Sequence, residues 1–197
     1  MAALDDPELL LPDAQAWRQW LGDNHADASG VWLVLHKKGG AVTELTYEDA
    51  LQEALCFGWI DGQVARRDAG SYRQRFTPRR SKSPWSASNV DRIGVLLEQG
   101  RMTPAGQRAV DAAKADGRWQ RAYAGAATAQ VPPDLAAAIA AVPEAASMFA
   151  TLDAANRYAL IYRVNEAKRD DTRARRIEKF VAMLARGETI HPQRAQR

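Results

Sequence analysis

The 197-residue chain has a single cysteine, Cys56, so no disulfide can form within it. Its three histidines, His25, His36 and His191, show no metal-ligand spacing, which argues against a structural zinc site. No run approaches the ~18 uninterrupted apolar residues that a membrane helix needs. The first residues, Met-Ala-Ala-Leu-Asp-Asp-Pro-Glu, are acidic where a secretory leader is basic and then apolar, so the expected location is the cytoplasm. There is no G-x-S-x-G elbow, P-loop, dinucleotide fingerprint or H-E-x-x-H pair, and the sequence points to no metal and no cofactor.

What is present suits a folded protein. Charged residues make up 26%, and six Trp, five Tyr and four Phe help fill a core. The net charge of +3 hides a strong asymmetry: 1–62 carries −8, 63–82 carries +6, 83–162 is balanced and 163–197 carries +5. Such a pattern suggests an anionic partner, or one part of the chain docking on another.

Helix and strand signals alternate at first. Asp13 caps a helix carrying Trp17, Trp20 and Leu21, with a polar loop over 22–30. Val31 to Lys38 reads as a strand, and Thr46 to Asp49 opens a helix that buries Ala50, Leu51, Ala54 and Leu55. Residues 57–62 suggest a short strand ending in a turn, and 71–77 its antiparallel partner, with 63–70 between. Ser83-Pro84 and Thr103-Pro104 each predict a helix start, and the alanine-rich stretch beyond Asp116 reads as helical. Val131-Pro-Pro-Asp134 marks a boundary, Pro143 and Asp153 open two further helices, and Asp170 or Asp171 caps the last. The residues after Thr189 are expected to fray.

The expected fold class is α+β: a small antiparallel sheet flanked by helices over 1–128, followed by a helical module over 129–197. Residues 134–190 should contribute no strand to the main sheet.

The chemistry concentrates in 57–92. An extended Trp59-Ile-Asp61 puts the indole and the carboxylate on one face, and Arg73 and Arg75 share a face of the next strand. Thr77, Arg79, Trp85, Ser86 and Asn89 follow, beside the start of the Pro84 helix. A helix N-terminus attracts anions, and arginines add bidentate donors. The expected site is therefore a pocket for an anionic or carbonyl-bearing small molecule or peptide. Arg75 and Arg79 would hold the anion, Trp59 and Trp85 would wall it, and Asp61 would pair with Arg75. The alternative for the same residues is an Asp–Arg ion pair within a tryptophan-rich core. An enzyme reading uses Asp61 as general acid/base. A third reading places nucleic acid on the basic run Lys168 to Arg176, ranked last because Asp170 and Asp171 interrupt it. Cys56 reads as a small core residue, and Tyr123, Phe149, Tyr158 and Tyr162 as packing. A homo-oligomer or a protein partner stays open.

Several runs resemble the YdeI/OmpD-associated, or bacteriocin-protection, family. They are Leu55 to Gly62, Arg75-Phe-Thr-Pro-Arg79, Trp85-Ser86 with Asn89, Gly100 to Gly106, Glu166 to Arg169 and Thr172 to Ile177. The resemblance implies an α+β part followed by a short helical part. It also implies a role in tolerating stress or antimicrobial peptides, including an association with an outer-membrane porin. It supplies no catalytic residues.

Overall fold

The computed structural model describes residues 6–193. Its elements are β1 (Glu8–Leu9), α1 (Ala14–Asn24), β2 (Val31–His36), α2 (Tyr47–Cys56), β3 (Trp59–Arg66), β4 (Ser71–Pro78), α3 (Ala87–Glu98), α4 (Pro104–Ala115), α5 (Pro133–Ala140), α6 (Pro143–Thr151), α7 (Ala154–Asn165) and α8 (Asp170–Ala185). They divide into two compact units, Met1–Ala122 and Tyr123–Arg197. The fold class is α+β. Among the described residues, no helix is long and apolar enough to cross a membrane.

The first unit holds a four-stranded sheet of order β1-β2-β4-β3. Both β2–β4 and β3–β4 are antiparallel, but β1 runs parallel to β2, so the sheet is mixed. The two-residue β1 is too short to carry a detectable hydrophobic period in the sequence. Val31, Leu33 and Leu35 of β2, with Phe76 of β4, share one buried core with Trp17 and Leu21 of α1, Leu51 and Leu55 of α2, Ile93 and Leu96 of α3, and Val110 of α4. Caps start the helices where expected: Asp13 accepts from Ala16 N, Thr46 from Asp49 N and Thr103 from Gly106 N. The approach of α4 to the end of α2 needs a glycine. A Cβ at Gly106 of α4 would stand 2.2 Å from the Cys56 carbonyl oxygen. That same oxygen accepts from Thr103 N at 3.1 Å and from Thr103 Oγ1 at 2.7 Å.

Further expectations need correction. Helix α1 continues through Gly22 to Asn24. Strand β3 does not end at Gly62 but runs to Arg66, absorbing a register shift between Asp61 and Val64. Helix α3 begins after Ser86, not Ser83, because Ser83 closes a turn by accepting from Arg80 N at 3.0 Å. Residues 116–132 form turns and irregular backbone rather than helix: Gly117, at φ 75°, follows the end of α4, and α5 does not begin until Pro133.

The second unit is helical, with a core of Leu135, Ile139, Ala145, Leu160, Val164, Ile177, Phe180 and Leu184. Asp153 caps α7 by accepting from Asn156 N. Arg169, not Asp170 or Asp171, occupies the cap position of α8; both aspartates lie in its first turn. Residues 190–193 are tied down rather than frayed: Asn156 Oδ1 accepts from His191 N at 2.8 Å, and Gln193 donates to the Thr151 carbonyl at 2.9 Å. The remaining four residues lie outside the described range.

Candidate functional site

The sheet register separates the two residues expected to pair. Asp61 sits opposite Phe76, so these two share a face, and Arg75, one position away, points to the other. On that other face Arg75 holds Asp6 at 2.5 Å, with the Asp6 side chain only 5% exposed. Glu8 beside it takes Arg67 at 3.0 Å and Arg73 at 3.3 Å. The acidic start of the chain therefore meets part of the first basic patch, and Arg75 is a structural cation. Thr77 lies on this face too, and its methyl would stand 3.0 Å from a Cβ at Gly30.

Asp61 accepts instead from the Tyr47 hydroxyl at 2.8 Å. Burial, then the hydrogen bond to Asp61, pushes the Tyr47 phenol well above its usual range, so it stays protonated and donates. Next to Tyr47 in the first turn of α2, Glu48 receives Arg92 through two bonds of 2.7 and 2.8 Å. The Arg92 hydrogen bond, against an opposing burial effect, holds the Glu48 carboxyl below its usual range. Arg92 also donates to Asn89 Oδ1 at 3.3 Å. Asn89 thus belongs to a network with Glu48 and Arg92, two residues the sequence reading missed. The Thr46 cap placed Glu48 at a helix start, but nothing in sequence ties it to a side chain 44 positions away.

Neither tryptophan walls an open cleft. Trp59, 1% exposed, makes an edge contact with Trp17 and donates from Nε1 to the His25 carbonyl at 3.2 Å. Trp85 is equally buried, tilted against Trp119 with ring centroids 5.0 Å apart. The Arg79 guanidinium lies over the Trp85 ring, 3.6 Å from its centroid, and donates to the Pro84 carbonyl at 3.0 Å. Among the described residues no acceptor reaches Trp85 Nε1. The next residue, Ser86, caps α3 by accepting from Asn89 N at 3.2 Å. Of the expected site, Arg79, Trp85 and Ser86 therefore come together at the start of α3. Asn89 adjoins them one turn on. Trp59, Asp61, Arg75 and Thr77 do not.

Cys56 is buried, and burial raises its thiol pKa, which suits an inert core residue. Among the described residues no group of three or more His, Cys, Asp or Glu could hold a metal ion. The basic run of α8 carries its own acids: Arg169 and Arg175 face Asp171, and Arg173 holds Asp134 at 2.6 Å. Two concavities, of about 740 and 540 Å3, lie in the second unit, and no residue of the 57–92 region lines either.

Residues 9–109 match a family described as a domain of unknown function (DUF8412). Residues 128–187 match the family described as bacteriocin-protection, YdeI or OmpD-associated. The runs at 166–169 and 172–177 fall within that second match, and those at 55–106 fall within the first. No curated protein and no solved structure matches the chain.

Proposed function

We propose that this chain, which belongs to the DUF8412 family over its first half and carries a YdeI/OmpD-associated segment in its second, is a ligand-binding protein of the cytoplasm acting in bacteriocin or stress tolerance. Its ligand is a small anionic or carbonyl-bearing molecule held at the start of α3. The observation that carries this is the buried Trp85 Nε1–H, which has no acceptor among the described residues. An indole N–H can only donate. Burying one without a partner costs about 1–3 kcal/mol, and an acceptor oxygen on a ligand removes that cost. The Arg79 guanidinium over the same ring and the N-terminus of α3 add positive potential. The tolerance role draws on the family matched at 128–187.

The test is a titration of the purified chain with phosphate, sulfate and acetate, followed by tryptophan emission and thermal melting. A saturable emission change with a rise in Tm is expected for at least one of them. Arg79→Gln and Trp85→Phe should each abolish it. A wild-type protein indifferent to all three removes the reading. Fractionation of cells expressing the tagged chain tests the location.

A further inference from the structure

The 740 Å3 concavity in the second unit is a groove between α5 and α8. Ala138 and Val142 form one wall, and Ala174, Ile177, Val181 and Ala182 form the other. Alanine creates the space, because Ala174 and Ala182 are exposed where larger side chains would fill the trough. Its lining runs from Asp170 to Ala185, the whole length of α8, or about 24 Å at 1.5 Å per residue. At one end Arg173 bridges to Asp134 with bonds of 2.6 and 2.9 Å, tying α8 to α5 and neutralising both charges. That leaves Asp170 and Glu178 as the charges on the rim; among the described residues neither makes an ion pair within 4 Å, though Asp170 also acts on the Arg173 charge. The trough is therefore apolar along its floor and net negative along its edge.

We infer that this groove docks an amphipathic α-helix of a partner protein or peptide, with Leu-type side chains on one face and lysine or arginine flanking them. Length and shape favour a helix, since three to four turns of i, i+3, i+4, i+7 anchors lie along such a trough. The rim carboxylates, led by Glu178, select cations beside those anchors. This inference concerns the second unit and stands apart from the anion proposed at α3.

The experiment uses the full chain and a labelled synthetic helix of about 18 residues, with leucine on one face and lysine flanking it. Two control peptides carry glutamate in place of lysine, or the lysine peptide's composition in scrambled order. Fluorescence anisotropy reads affinity, circular dichroism checks folding, and sedimentation reads self-association. The lysine peptide should bind at least about tenfold more tightly than either control. Ala182→Arg, at an exposed position in the trough, and the double variant Asp170→Lys, Glu178→Lys should each weaken it about tenfold or more while staying folded. Equal binding of the scrambled peptide, unchanged affinity in both variants, or no binding at low salt overturns the inference. So does a dimer of the wild-type chain that Ala182→Arg dissociates, since the occupant would then be a second copy.

Discussion

Arg75 and Asp6 form the most enclosed ion pair among the described residues, with side chains 16% and 5% exposed. They lie 69 positions apart and bind the start of the chain to β4. Gly30 makes room for them: a Cβ there would stand 2.6 Å from Asp6 Oδ2 and 3.1 Å from an Arg75 nitrogen.

Removing one partner of a buried pair leaves the other charge uncompensated. Arg75→Ala should therefore cost about 3–5 kcal/mol in chemical denaturation. It should leave any anion response at α3 unchanged, because Arg75 points to the other face of the sheet. Gly30→Ala should destabilise as well, and much less in an Asp6→Ala background. A loss under about 1 kcal/mol for Arg75→Ala would mean that the pair is effectively solvated.

Glu53 presents a second case. It is 6% exposed and receives Arg18 and Arg101 at 2.6 Å each, joining α1, α2 and the segment before α4. Glu53→Ala should destabilise by about 1–3 kcal/mol, because the two arginines it leaves are partly solvated. Restoring the shape without the charge, as Glu53→Gln, should recover only part of this. Thermal melts of the two variants side by side check the order.

Gly106→Ala puts a methyl group against backbone, where no side chain can swing away. The expected cost is about 1–3 kcal/mol, with α2 and α4 forced apart. Gly94→Ala, within α3 and with nothing within 4 Å of its Cβ, should be neutral or slightly stabilising. Equal effects from the two substitutions would contradict the close approach at Cys56.

Asp134 supplies a pH dependence for the second unit. The hydrogen bonds from Arg173 hold its carboxyl below the usual carboxylate range. A folded pKa below the unfolded one adds stability that is fully present above about pH 3.9 and is lost as the pH falls through the folded value. The stability gap between wild type and Asp134→Asn should therefore be constant near neutrality and should close below about pH 3.9. Urea unfolding at pH 7 and pH 3 measures it, and a gap that widens in acid reverses the sign.

The legible parts of this protein are local. Asp13, Thr46, Thr103 and Asp153 each cap a helix by accepting from a backbone N–H three residues on, so pattern and partner lie in one short window. The β3–β4 hairpin and the buried stripe of α2 were readable for the same reason. Ser83 and Ser86 are both competent caps, and only the turn of Ser83 with Arg80 settles which is used.

Pairing across the fold was not legible. From composition, Asp61 and Arg75 look like partners. The strand register decides otherwise, because one step along a strand turns a side chain to the opposite face. Tyr47 and Glu48 reach their partners, and Asp6 reaches Arg75, only once helices and strands are packed. The groove between α5 and α8 is likewise tertiary: the sequence shows alanines on two helices more than 30 positions apart, and the trough exists only where packing brings them to face each other. Local hydrogen bonds and hydrophobic period thus determined the elements from sequence alone, while register and packing, which act between distant positions, decided the charges' partners and the open surface.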